Sequence, residues 1–128
     1  MIGYITLGTN NFDQATEFYD QLLTELGARR TMDFDGCAGW GMPDRIGVNL
    51  LLMKPANGEP ATVGNGVMVA LTADSQEKVD QIYQKAIELG ATCEGKPGTR
   101  YEKNLYAAYF RDLDGNKLNA FHIDRSSK

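Results

Sequence analysis

Few residues in this chain could carry acid–base, nucleophilic or metal chemistry. The 128 residues include one histidine, His122, and two cysteines, Cys37 and Cys93. The cysteines lie far apart in the sequence and form no metal-binding or redox motif. The histidine lies in another segment, so a thiolate–imidazole pair is not indicated. No local motif therefore predicts a catalytic centre, and the arrangement of the elements has to show which other residues come together.

The first half of the sequence predicts a strand, a helix and three strands. Residues 2–8 alternate as in a strand, and Asn10-Asn11 are candidates for the start of a helix. An apolar stripe at helical spacing follows as far as Gly27, a residue suited to ending a helix. The three strands are expected near residues 28–34, 37–42 and 46–53.

The second half predicts the same order of elements after a connector over 54–65 that is rich in proline and glycine. Asp74 is the expected N-cap of its helix, with Glu77 completing a capping box. Strands are expected near residues 67–72, 91–95, 105–111 and 117–124.

Both predicted helices end in the same four residues, Glu25-Leu26-Gly27-Ala28 and Glu88-Leu89-Gly90-Ala91. Together with the shared order of elements, this indicates an internal duplication. The expected fold is α+β: one domain over 1–128, with modules at about 1–53 and 66–124. Two βαβββ modules would form a curved mixed sheet around a cleft, with the helices on its outer face.

Three stretches resemble the glyoxalase/bleomycin-resistance/dioxygenase superfamily, also called the vicinal-oxygen-chelate superfamily. They are the opening strand from Ile5 to Asn10 with the Phe18-Tyr19 helix, the stretch 64–71, and the closing hairpin 110–118. In the hairpin Leu113 replaces the proline that is usual in the family. The resemblance covers essentially the whole chain and implies the glyoxalase-like fold, which hosts many chemistries.

The resemblance also implies four positions where metal-dependent relatives place ligands to a divalent ion. Here they are Tyr4, Asn49, Met68 and Asn119, with Asn49 as the first-module counterpart of Asn119. None is an imidazole, carboxylate or thiolate, the donors that such metals prefer. We therefore expect no metal and no cofactor. If Asn119 faces the cleft, strand alternation turns His122 toward the helices, which disfavours its acting as a catalytic base.

The expected ligand-binding cleft is lined by neutral polar, aromatic and soft side chains: Tyr4, Thr6, Trp40, Asn49, Met68, Tyr106, Asn119 and Phe121. Tyr109 is an alternative to Tyr106, and packing in the core is the competing interpretation of Trp40, Tyr106 and Tyr109. Arg100, in an expected loop at 95–104, could pair with an anionic ligand, although a solvated surface loop is the simpler interpretation.

The charge balance argues against several partners. A net charge of −4 and a pI near 4.9 disfavour nucleic acid and anionic membranes, which need a basic surface. The first residues do not look like a signal peptide, and a cytoplasmic location is expected. The expected partners are a small-molecule ligand and a second copy of the chain, because relatives often pair and an open sheet leaves edges to cover.

Two functions are compatible with the sequence. The first is metal-free binding of a small molecule, of unknown specificity, by a glyoxalase/bleomycin-resistance-like protein. The alternative is a glyoxalase-like lyase or a dioxygenase-type enzyme. The missing metal donors favour the first, and the family resemblance leaves the second open.

Overall fold

The structure is a computed structural model that describes residues 1–44 and 47–124, except for the side chains of residues 102 and 103. The chain forms two compact units, Met1–Val63 and Gly64–Lys128. The expected start of a strand at residue 46 lies outside the described residues. No helix in the described part is long and apolar enough to cross a membrane.

Unit 1 is a four-stranded mixed sheet with one helix. Its elements are β1 (Ile5–Gly8), α1 (Phe12–Thr24), β2 (Arg29–Phe34), β3 (Cys37–Gly41) and β4 (Leu50–Met53). The strand order in the sheet is β1-β4-β3-β2. The β1–β4 pair is parallel, and the other pairs are antiparallel. A parallel pair needs a long connection, which α1 and the two intervening strands provide.

Unit 2 repeats this topology. Its elements are β5 (Val69–Thr72), α2 (Gln76–Glu88), β6 (Thr92–Arg100), β7 (Glu102–Arg111) and β8 (Lys117–Ile123). The strand order is β5-β8-β7-β6, again with a parallel first pair. The predicted α+β fold with two βαβββ modules is therefore confirmed, as two four-stranded sheets.

The two helices begin at hydrogen-bonding caps. Asn11 caps α1, and its side chain accepts a bond from the backbone of Gln14. Ser75 caps α2 and accepts from the backbone of Lys78, so the expectation that Asp74 caps this helix was wrong by one residue. Each cap gives an acceptor to a backbone N–H that has no partner within the helix.

Both helices end in the same way. Gly27 and Gly90 have φ of 82° and 106°, a left-handed conformation that glycine adopts without steric cost. The following alanines turn back, with Ala28 N donating to Leu23 O at 3.1 Å and Ala91 N to Ala86 O at 2.9 Å. The repeated Glu-Leu-Gly-Ala therefore marks one local structure built twice.

Each sheet has a helix-covered face and an opposite face, here called the helix-free face. In unit 1 the helix-covered face carries Ala38, Trp40, Leu50 and Leu52, all buried. In unit 2 the corresponding side chains are Ala108, Phe110, Leu118 and Ala120, also buried. Because strand side chains alternate, the residues between them lie on the helix-free face. Burying each large apolar side chain contributes roughly 1.5–3 kcal/mol to folding.

The stretch expected as a loop at 95–104 is mostly strand. β6 runs to Arg100 and β7 begins at Glu102, so Tyr101, with φ of 51°, lies at the turn of a hairpin. The pairing shifts register at three places along β6, and two of them lie in the stretch that contains Gly95, Pro97 and Gly98. Gly and Pro suggested a loop here, but in β6 they mark bulges.

Candidate functional site

The four positions implied by the family resemblance lie at or near strand starts. Tyr4 and Met68 directly precede β1 and β5 and are 56% and 42% exposed. Asn49 directly precedes β4, and its Oδ1 accepts from the backbone N of Met42 at 3.3 Å. Asn119 lies within β8 and is only 5% exposed.

The strand registers correct one correspondence between the modules. Ile5 pairs with Leu50 in unit 1, and Val69 pairs with Leu118 in unit 2. Leu50 and Leu118 are therefore equivalent positions in the two units. One residue earlier, Asn49 is equivalent to Lys117, and one residue later, Leu51 is equivalent to Asn119. The expectation that Asn49 is the counterpart of Asn119 was therefore wrong, because short sequence similarity did not reveal a two-residue difference in register.

These residues do not fit a divalent metal ion. A phenol, two carboxamides and a thioether offer no negative charge to balance a dication. Lys117, at the register position equivalent to Asn49, adds a positive charge. Within residues 1–44 and 47–124, no group of three His, Cys, Asp or Glu side chains is arranged to hold a metal.

Several of the expected ligand-binding residues lie on the helix-free face of their own unit. In unit 1, Thr6 pairs with Leu51 and is exposed. In unit 2, Asn119 pairs with Tyr109, and Phe121 follows two residues along β8 on the same face. The helix-free face of unit 2 is therefore polar and aromatic, as expected of a surface that binds an amphipathic molecule.

Trp40 does not lie on a helix-free face, so that expectation was wrong. Its side chain is 1% exposed, its ring lies 5.7 Å from that of Tyr19 on α1, and its Nε1 donates to Asp20 Oδ1 at 2.8 Å. Asp20 also accepts two bonds from Arg30. The indole is thus part of the core of unit 1, with its polar N–H satisfied.

Tyr106 also faces a helix, so Tyr109 and not Tyr106 belongs to the helix-free face. The Tyr106 hydroxyl donates to Asp80 Oδ1 on α2 at 2.7 Å. This hydrogen bond, followed by partial burial, raises the pKa of Tyr106 above its usual value. Tyr106 alternates with Tyr109 and shares the face of the buried Ala108 and Phe110, so the pairing of β7 with β8 separates the two tyrosines.

His122 takes the orientation that alternation predicts. It lies on the helix-covered face of unit 2, where Nδ1 is 3.0 Å from the backbone oxygen of Ala73. Neither cysteine lies in a cluster of metal donors within the described residues. Cys93 is an exposed free thiol hydrogen-bonded to Tyr83, and this bond raises the pKa of the Tyr83 hydroxyl. These groups do not form a nucleophile–base pair.

A cationic and aromatic group occupies the helix-free face of unit 2. The Arg100 guanidinium and the Lys117 ammonium each lie 5.6 Å from the centre of the Tyr109 ring. Lys117 was not anticipated from the sequence, although it precedes Asn119 by two residues and must share its face. Arg100 was anticipated as a residue that could meet an anion, but in a loop.

Unit 1 has a separate hollow of about 280 Å³ beside the turns after β4. Thr9, Asn10, Lys54 and Glu59 contribute to its lining. Asn10 fixes the turn, since it donates to Ala61 O and accepts from Ala61 N. The volume is slightly below the roughly 300–1,000 Å³ of most small-molecule pockets, so this hollow is the weaker candidate.

Comparison with solved structures places the chain among glyoxalase-like proteins. A glyoxalase/bleomycin resistance protein from Albidiferax ferrireducens T118 is 35% identical, with a TM-score of 0.87 over 97% of this chain and 99% of that one. A family enzyme from Burkholderia phytofirmans PsJN is 18% identical, with a TM-score of 0.73 over 94% and 97% of the two chains. At that identity the likeness concerns the fold alone.

A fosfomycin resistance protein from Mesorhizobium loti also shares the fold, with 14% identity and a TM-score of 0.70 over 98% of this chain and 94% of that one. No curated protein matches the sequence. The sequence profile of the Glyoxalase/Bleomycin resistance protein/Dioxygenase superfamily matches residues 1–120. With the duplicated βαβββ topology, this match shows that the chain belongs to the glyoxalase/bleomycin-resistance/dioxygenase superfamily.

Proposed function

We propose that this protein binds a small molecule reversibly and without a metal ion. The ligand would lie against a helix-free sheet face, where polar and aromatic side chains are available. The residues proposed to contribute are Tyr4, Thr6 and Asn49 on unit 1, and Met68, Tyr109, Asn119 and Phe121 on unit 2. Trp40 and Tyr106 are not part of this set, because both face helices.

One observation carries the proposal: the side chains at the four positions that the family resemblance implies for metal ligands are all neutral. Tyr4, Asn49, Met68 and Asn119 offer no imidazole or carboxylate, and neither does Leu51, which holds the register position of Asn119 in unit 1. Burying an uncompensated dication is strongly unfavourable. A single missing donor could be replaced by a neighbour. Four neutral positions would need several replacements, and in the described part of the chain no three His, Cys, Asp or Glu side chains are grouped to provide them.

The acidic and basic side chains near the proposed site support binding over catalysis. His122 is on the helix-covered face, and its Nδ1 lies within hydrogen-bond distance of a backbone oxygen. On the helix-free face of unit 2 the polar groups around Asn119 are an amide, a phenol, two cations and the Arg111–Glu94 ion pair. The Glu94 carboxylate is held by Arg111, and the amide, the phenol and the two cations are not effective general bases near neutral pH.

A lyase assay separates binding from the enzymatic alternative. Protein freed of metal and then supplied with Zn²⁺ or Ni²⁺ should not convert the methylglyoxal–glutathione adduct to lactoylglutathione. Background conversion without protein is the control. Metal-dependent turnover well above background would contradict the proposal and favour a glyoxalase-like lyase.

We also propose that the protein is a cytoplasmic homodimer. Edge strand β2 is largely exposed and ends at Phe34, which is 65% exposed, so a second copy could cover apolar surface here. The free thiols Cys37 and Cys93 suit a reducing compartment. The acidic net charge supports a small molecule and not nucleic acid as the other partner.

A further inference from the structure

We infer that the helix-free face of unit 2 binds a small oxyanion that also carries a hydrogen-bond donor. Arg100 and Lys117 would receive the anionic group, and Asn119 would accept a hydrogen bond from the donor. This inference rests on the proposed function and adds the chemical class of its ligand.

The strand registers bring the necessary side chains onto one surface. Tyr109 pairs with Asn119 on β8 and with Gly95 on β6, so these three residues lie side by side. Lys117 precedes Asn119 by two positions and lies on the same face, about 7 Å along the strand. A molecule of a few heavy atoms could therefore touch Lys117 and Asn119 together.

Arg100 and Lys117 are the two cations beside the Tyr109 ring. Within the described residues, neither lies within ion-pairing distance of an Asp or Glu. By contrast, the neighbouring Arg111 is neutralised by Glu94, with its Nε 2.9 Å from Glu94 Oε1. Two half-buried cations beside one aromatic ring, with no ion pair among the described side chains, form a local positive surface on an acidic protein.

Glycines leave room for the Arg100 guanidinium. A Cβ at Gly95 would lie 3.3 Å from Arg100 Nη2, and a Cβ at Gly98 would lie 2.9 Å from Nη1. The guanidinium also donates to the backbone oxygens of Lys96 and Thr99. It is therefore positioned over Tyr109 before any ligand arrives, and its remaining N–H donors are available for an oxyanion.

Asn119 supplies an independent observation. Its side chain is 5% exposed, yet its Oδ1 has no hydrogen-bond partner within the described residues. Leaving a buried acceptor unpaired costs free energy, so a bound donor would be favoured there. An anion that bears a hydroxyl or amine satisfies both the cations and this acceptor, whereas a simple anion satisfies only the cations.

Three small probes of similar size test the inference: glycolate has both groups, acetate lacks the hydroxyl, and glycolamide lacks the charge. Each is titrated into ¹⁵N-labelled full-length protein, and amide shifts are followed at constant ionic strength. Glycolate should bind most tightly and shift Tyr109, Lys117 and Asn119. Acetate should bind more weakly at the same residues, and glycolamide should cause no saturable shift.

Charge-removing variants test whether Arg100 and Lys117 bind the anion or only stack on the Tyr109 ring. Arg100→Gln and Lys117→Gln should each weaken glycolate binding about tenfold, the value of one charge-assisted hydrogen bond. Lys85→Gln removes the same charge from α2, on the other side of the sheet, and should leave the affinity unchanged.

Equal binding of glycolamide and glycolate would overturn the anion assignment while leaving small-molecule binding intact. Unchanged affinity in both cation variants, or no shift with any probe, would also overturn it. None of these three outcomes depends on metal content, so failure of this inference is distinguishable from failure of the metal-free proposal.

Discussion

Single residues show how far the sequence could define the site. Asn119, Thr6 and Phe121 were expected on a ligand-facing surface, and the structure places them on helix-free faces. Trp40 and Tyr106 were expected there too, yet they pack toward helices. Residue type alone could not decide this, because aromatic rings suit both a core and a ligand site. Strand register decides it, and register could not be read from one sequence.

Tyr106 leads to a prediction about pH. Its pKa is raised by the hydrogen bond to Asp80, so the fold stabilises the neutral phenol. Because the pKa of Tyr106 is higher in the folded than in the unfolded protein, the hydrogen bond stabilises the fold fully below pH 10.0, the unfolded-state pKa. That stabilisation is lost as the pH rises through the folded-state pKa. Tyr106→Phe should lower the free energy of unfolding by about 1 kcal/mol at neutral pH. The difference from wild type should shrink above pH 10, as measured by urea denaturation.

Asp80→Ala provides the control for this effect. In the Asp80→Ala variant, Tyr106→Phe should lower the free energy of unfolding by clearly less than it does in wild type. The reason is that the two single changes remove the same hydrogen bond. If Tyr106→Phe cost the same free energy with and without Asp80, the hydroxyl would not be stabilised by this carboxylate.

At the scale of elements, the order of strands and helices was predictable and several boundaries were not. The period-two and helical patterns, with the two Glu-Leu-Gly-Ala ends, were sufficient for βαβββ twice. The hairpin around Tyr101 was missed, because Gly95, Pro97 and Gly98 resemble a loop in sequence. In the structure the pairing with β7 continues past them through shifts of register.

The start of α2 gives a test at this scale. Ser75 accepts a hydrogen bond from Lys78 N at 3.1 Å, so Ser75→Ala should lower the free energy of unfolding by about 1 kcal/mol. For a chain of this size, that corresponds to a fall in Tm of roughly 4 °C. Asp74→Ala, one residue earlier, is the matched control and should change Tm much less. A larger loss for Asp74→Ala would mean that the sequence-based assignment of the cap was correct.

For the whole molecule, the family follows from the matched profile and the repeated topology, whereas the ligand does not. The fold fixes where a helix-free face lies but not which side chains occupy it. On the helix-free face of unit 2 this protein has an amide, aromatic rings, two cations and the Arg111–Glu94 ion pair, and that composition does not suit a divalent metal ion. The missing donors could be identified from sequence, but the unpaired Oδ1 of Asn119 and its position beside Lys117 could not.

The proposed homodimer is tested by mass in solution. Light scattering with size-exclusion chromatography at micromolar concentration should give twice the 14.1 kDa of the chain. The same mass should persist after severalfold dilution if apolar surface is buried between copies. A mass of one chain at every concentration would show that the edges and apolar flanks are tolerated in a monomer.

The metal content of purified protein tests the central claim most directly. Tag-free wild-type protein is stripped with chelator, dialysed against a known concentration of Zn²⁺ or Ni²⁺ and then against buffer, and analysed for bound metal. Because Tyr4, Asn49, Met68 and Asn119 provide no anionic donor, retained metal should be far below one ion per chain. Retention of about one ion per chain at these residues would contradict metal-free binding and make an enzyme the better account.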